Sequence, residues 1–131
     1  MKSKILIIDD DDAVLDILNE WFSEEGFIVK ALSETNNLLD LIKKFKPNLV
    51  LLDYQLKDVN GGRLCQQIKS NNKYNKIPVV IFSAFPESLL LPSLYQCDLF
   101  VEKPFDLYLL TQQFNTLISA SNVVELNIWL N

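Results

Sequence analysis

Four short apolar runs in this chain end at groups that could do chemistry. Ile5-Leu6-Ile7-Ile8 stops at Asp9-Asp10-Asp11-Asp12, and Leu49-Val50-Leu51-Leu52 stops at Asp53. Ile77-Pro78-Val79-Val80-Ile81-Phe82 ends at Ser83, and Leu99-Phe100-Val101 leads through Glu102 into Lys103. Three carboxylates in one place repel one another unless a cation joins them. Oxygen-only ligands suit Mg2+ better than a transition metal. A hydroxyl and an ammonium beside them suit a tetrahedral anion such as a phosphoryl group. A carboxylate can also be the nucleophile and become an aspartyl phosphate. Metal and lysine would then offset the charge that develops in the transfer.

Such a site exists only if the fold brings these ends together. Runs of four to six apolar residues bounded by Pro47, Asn60-Gly61-Gly62 and polar stretches read as strands buried on both faces of a parallel sheet. Helical spacing follows each strand. Val14, Leu15, Leu18, Trp21 and Phe22 share one face, and Gly26 ends that helix. Phe27 to Leu32 is a strand that Lys30 marks as an edge. Ser33 or Thr35 can cap the next helix, with Leu38, Leu41, Ile42 and Phe45 inward. Leu64, Cys65 and Ile68 suggest a third helix. Asp106 can cap a last one that buries Leu107, Leu110, Phe114, Leu117 and Ile118. Right-handed crossovers make this a doubly wound α/β sandwich. In the order 2-1-3-4-5, strands one and three are neighbours at the switch point, where ligands bind. Asp9, Asp10, Asp53, Ser83 and Lys103 then share one edge of the sheet.

The totals agree with one folded domain. The chain has 131 residues, 49% hydrophobic and 22% charged. A net charge of −5 and the lack of a basic cluster beyond Lys43, Lys44 and Lys46 argue against a nucleic-acid footprint. No apolar run approaches membrane-spanning length, and the run after Lys4 is too short for a secretory signal. Two scattered cysteines fit a reducing cytoplasm better than a disulfide framework or a zinc site. The absence of histidine removes imidazole acid–base chemistry, imidazole metal ligands and phosphohistidine from this chain.

Taken together, these pieces resemble the receiver domain of bacterial two-component response regulators. They are Ile-Leu-Ile-Ile-Asp9-Asp10, Leu-Val-Leu-Leu-Asp53, Gly61, Ile-Phe-Ser83-Ala84 and Lys103-Pro104-Phe105. The resemblance runs over roughly residues 3 to 120. It implies a flavodoxin-like fold and a signalling phospho-acceptor rather than an enzyme. Asp53 would take the phosphoryl group from a histidine kinase or phosphotransfer protein. Asp10 would bind Mg2+ directly and Asp9 mainly through water, with the Gln55 carbonyl as a further ligand. Ser83 would hydrogen-bond one phosphoryl oxygen and Lys103 would pair with another. Phe100 matches the aromatic residue that turns inward when the hydroxyl moves. A cis Lys103–Pro104 peptide is also implied.

Some positions depart from the family pattern. Lys57 stands where proline is usual and Asn60 where aspartate is usual, so a less rigid Asp53 loop is expected. Gln96-Cys97 replaces the usual Gly-Ala. Pro86 and Pro92 predict a short or broken fourth helix that exposes part of Leu89-Leu90-Leu91. That puts in doubt the usual homodimer through this face and favours a private partner surface. Residues 1–120 form the expected receiver domain. Residues 121–131 form a tail too short for a DNA-binding output domain, so the expected output is a contact with a downstream protein target. Val124, Leu126, Ile128 and Leu130 alternate with Glu125, Asn127, Trp129 and Asn131 at strand period rather than helix period, and the tail is expected to extend the path of the last helix and pack on a partner or a sheet edge. The alternative reading is a constitutive adaptor that kept the fold and lost the switch. An aspartyl phosphatase is disfavoured, because Gln55 stands where a second acid would protonate the leaving group. A dinucleotide site is disfavoured for want of a Gly-x-Gly-x-x-Gly.

Overall fold

The computed structural model describes residues 2–86 and 96–130. Among the described residues there are five strands: β1 (Lys4–Ile8), β2 (Ile28–Leu32), β3 (Leu49–Asp53), β4 (Val79–Ser83) and β5 (Leu99–Glu102). All pair in parallel, in the order β2-β1-β3-β4-β5. Among the described residues there are four helices: α1 (Asp12–Glu24), α2 (Leu38–Phe45), α3 (Gly61–Lys69) and α4 (Leu107–Leu130). The doubly wound arrangement is the one expected from the strand and helix periods, and its flavodoxin-like form is the one the family resemblance implies.

Strand alternation divides the interior into two cores. Ile5, Ile7, Leu49, Leu51, Val80 and Phe82 face α1 and α4, where they meet Leu15, Leu18, Phe22, Phe114 and Ile118. Leu6, Ile8, Val50, Leu52, Val79 and Ile81 face α2 and α3, against Leu38, Ile42, Leu64 and Ile68. The residues of β3 and β4 are buried throughout, so both faces of the central strands are dry. β2 lies at the edge with Lys30 exposed, a charge that discourages further strand pairing. At the opposite end of the sheet from the acids, Lys69 Nζ donates to Asp98 Oδ2 at 2.7 Å and to the Ile77 carbonyl at 2.9 Å. Asp98 Oδ2 in turn accepts the Val79 amide at 2.7 Å. This clamp ties the start of β5 to the start of β4.

The helix ends follow side-chain chemistry. Asp11 is the N-cap of α1 and accepts from the Ala13 and Val14 amides. Gly26 follows with φ +98°, a left-handed turn that suits glycine. Asp106 accepts from Tyr108 and Leu109 at the start of α4, as expected. Two expectations are corrected. The cap of α2 is Asn37, whose side chain accepts the Asp40 amide at 3.0 Å. Ser33 and Thr35 belong to a longer loop, and the amide of Asn37 stands one residue before the first apolar position. The tail is not a strand, because α4 runs unbroken to Leu130. No glycine or proline stands between Leu107 and Leu130, so each further residue adds one helical hydrogen bond to an existing nucleus. The expected short or broken helix around Pro92 falls on residues 87–95, outside the described residues.

Candidate functional site

The site sits where the two-residue alternation of the strands reaches their carboxyl ends. Asp9 follows Ile5 and Ile7, Asp53 follows Leu49 and Leu51, and Lys103 follows Leu99 and Val101. Each therefore emerges on the α1/α4 side, just above that core. Carboxylate oxygens of Asp9, Asp10 and Asp53 lie within 4.8 Å of one another. Asp9 is fully buried and Asp53 is 5% exposed, while Asp10 is exposed. Lys103 Nζ reaches Asp9 Oδ2 at 3.3 Å and Asp53 Oδ2 at 3.6 Å. The same ammonium stands 4.5 Å from the centre of the Phe82 ring.

Local backbone chemistry holds the acids in place. Asp9 Oδ1 accepts the Asp11 amide at 2.9 Å, at the entrance to α1. Asp53 Oδ1 accepts the Gln55 amide at 3.3 Å. Gln55 and Asn60 form an isolated bridge that closes the loop after β3, and Asn60 caps α3 by accepting the Arg63 amide at 2.9 Å. Asn60 thus serves as the cap that aspartate would provide. Gly61 presses against this loop, and a Cβ there would overlap the Asp53 carbonyl oxygen. Only glycine allows that approach.

Burial is the main force on Asp53. It pushes the carboxyl up from its ordinary value to about 7, and the Asp9 charge pushes the same way. Lys103 and the Gln55 amide oppose them in part. A proton is one answer to this repulsion, and a hard cation is another. The donor set fits such a cation: three carboxylates converge, two are buried, and histidine is absent from the chain.

The remaining predicted residues take different positions. Ser83 is fully buried, and its Oγ accepts the Phe85 amide at 3.0 Å. By strand alternation it points to the α2/α3 side with Val79 and Ile81, whereas its carbonyl accepts the Lys103 amide at 2.7 Å. Phe100 pairs with Ile81 and is half-buried against the same core. The Lys103–Pro104 peptide is cis. Gly61 is among the residues that carry the resemblance, but its contact with a carbonyl eight positions earlier is not visible in the sequence. Phe82 was read as the end of an apolar strand. Counting alternation along β4 against β3 would have placed it on the side of Asp53 and Lys103.

Comparison with known proteins gives the same picture. The model of the response regulator receiver domain matches residues 5–115. The chain is 28% identical over 107 residues to the DNA-binding response regulator MtrA of Mycolicibacterium smegmatis, covering 80% of this chain and 46% of that protein. It is also 28% identical over 108 residues to the DNA-binding transcriptional regulator NtrC of Proteus hauseri, covering 81% and 22%. The chain thus spans less than half the length of these curated relatives. Among solved structures, a CheY-like receiver domain protein from Methanospirillum hungatei superposes with a TM-score of 0.82 at 22% identity, over 93% of this chain and 98% of that one. The beryllofluoride-activated receiver domain of DrrB gives a TM-score of 0.77 at 25% identity, over 91% and 99%. The family match runs from the first core strand well into the last helix, across every strand of the sheet, and by that measure the chain belongs to the response regulator receiver domain family.

Proposed function

We propose that this domain accepts a phosphoryl group on Asp53 and uses it to switch a protein contact in two-component signalling. The observation that carries this reading is the convergence of the Asp9, Asp10 and Asp53 carboxylates within 4.8 Å, with Lys103 reaching both buried acids. Receiver domains are signalling phospho-acceptors rather than turnover enzymes, which agrees with the lack of a second acid at Gln55. The donor is a histidine kinase or a phosphotransfer protein. An Asp53 carboxylate oxygen attacks phosphorus, the P–N bond to the donor imidazole breaks, and the electron pair leaves with the ring nitrogen, which takes a proton from solvent. Lys103 pairs with a phosphoryl oxygen as it departs from Asp53, and the Ser83 hydroxyl donates to another. Phe100 turns inward as Ser83 moves.

Asp10, Asp9, Asp53 and the Gln55 carbonyl are the groups that would hold Mg2+. When bound, the metal neutralises charge on the transferring oxygens. Residues 1–120 form the functional module and residues 121–130 continue its last helix. The output is a downstream protein target. The DNA-binding named for the two relatives describes whole proteins of which this chain matches less than half.

Intact-mass measurement with acetyl phosphate tests the reading. We expect an increase of one phosphoryl group that needs Mg2+ and disappears in Asp53→Asn. Equal labelling of that variant overturns the acceptor assignment. No labelling of the unaltered protein, from acetyl phosphate or from a phosphorylated histidine donor, favours the constitutive adaptor.

A further inference from the structure

We propose that Phe82 is a positioning residue for Lys103, its ring holding the ammonium within reach of a phosphoryl group on Asp53. The inference rests on the phospho-acceptor reading above. Phe82 is 1% exposed and pairs in register with Asp53 across β3 and β4. Strand alternation places its ring between the α1/α4 core below and the ion cluster above. Lys103 Nζ stands 4.5 Å from the ring centre, inside the range of a cation–π attraction. Phe105 packs edge-on against Phe82, with centroids 5.7 Å apart and planes at 77°, a favourable aromatic arrangement that fixes the ring's tilt.

The ring does something an acid could not. Lysine is a point charge on a flexible four-carbon stem with three donors. Asp9 accepts one N–H at 3.3 Å, and Asp53 at 3.6 Å is an ion pair beyond hydrogen-bond length, so a further N–H is uncommitted to either acid. A ring face attracts the charge without adding a hydrogen-bond acceptor, so that donor stays available for a phosphoryl oxygen. An aliphatic residue at this position would strip water from the ammonium and give nothing back. The ammonium would then swing toward solvent, to which the lysine side chain is already 23% exposed.

The test replaces Phe82 with 3,4,5-trifluorophenylalanine, which keeps the shape of the ring and weakens its negative face. Phe82→Leu removes the ring altogether. Circular dichroism establishes that each variant is folded. In metal-free protein, the Lys103 side-chain proton resonances are expected to show a ring-current shift that is lost in Phe82→Leu. With acetyl phosphate and Mg2+, labelling is expected to slow by about threefold to thirtyfold in Phe82→Leu and by less in the fluorinated protein. In a Lys103→Ala background the Phe82 changes are expected to have no further effect. Fluorination without effect on the rate, or equal slowing with and without Lys103, overturns this inference while leaving the acceptor role intact. Absence of labelling in the unaltered protein overturns both.

Discussion

Replacing Asp53 with Asn is expected to stabilise the metal-free protein at pH 8. The carboxyl is raised from 3.8 to about 7, chiefly by burial and next by Asp9. Between those two values the folded state binds more protons at this site than the unfolded state does. Stability therefore falls as pH rises through that window and stays low above it. A shift of about three units corresponds to at most about 4 kcal/mol. Part of that is offset in the variant, because Asn weakens the attraction to Lys103, although Asp9 still holds the ammonium at 3.3 Å. The Gln55 amide keeps an oxygen acceptor. We expect a net gain of about 2 kcal/mol at pH 8, a rise in Tm of roughly 6 to 10 °C for a domain of this size. At pH 5 the gain is expected to shrink to less than half, because Asp53 is then largely protonated in the fold. Urea unfolding in EDTA at both pH values measures it. A variant no more stable than the original at pH 8, or a gap that does not change with pH, would refute the electrostatic account. Adding Mg2+ is expected to narrow the gap by stabilising only the protein that retains Asp53.

Three further outcomes follow from the geometry. Gly61→Ala forces the Asp53 loop to move and is expected to cost about 2 to 4 kcal/mol in urea unfolding and to slow phosphoryl labelling at least roughly tenfold; a variant unchanged in both would remove Gly61 from the site. Asp10→Ala is expected to abolish Mg2+-dependent labelling without loss of stability, since this exposed acid only adds repulsion in the apo fold; undiminished labelling would show that it is not a ligand. Phe85, 42% exposed and anchored through its amide to Ser83, is expected to obstruct the water that hydrolyses the acyl phosphate, so Phe85→Ala should shorten the phosphoryl half-life; an equal or longer half-life counts against that.

The parts of the fold that sequence revealed are those where a single physical cause dominates. Burial on both faces makes β1, β3 and β4 nearly continuous apolar runs, and their shortness between Pro, Gly and polar residues marks them as strands rather than buried helix. The acidic site was visible for the same reason, because a carboxylate that ends such a run must lie at a sheet edge. Competing causes obscured the rest. Alternation from Val124 to Leu130 has strand period, yet the helix begun at Leu107 meets nothing to stop it. Ser33, Thr35 and Asn37 can all cap a helix, and the choice among them depends on loop length rather than on residue type. Gly61 and Phe82 owe their roles to contacts with residues distant in sequence, the Asp53 carbonyl and the Lys103 ammonium. Neither role is present in any local window.

Because the sheet separates its two cores, they can vary independently. Asp9, Asp53, Phe82 and Lys103 rest on the α1/α4 core, whereas the α2/α3 side meets the site at the start of α3, where Gly61 presses on the Asp53 carbonyl. Trimming a methyl group in the α2/α3 core, as in Ile42→Val or Ile68→Val, lowers stability by about 1 kcal/mol and leaves the seat of the ammonium untouched. Phe22 and Phe114 stack at 5.0 Å in the same core that holds Phe82, so trimming there acts on the core that the acids and Lys103 rest on. A lineage could therefore trim the interior of the α2/α3 core with little effect on the ammonium, provided that Ser83, Phe100 and the close approach of Gly61 to Asp53 are kept.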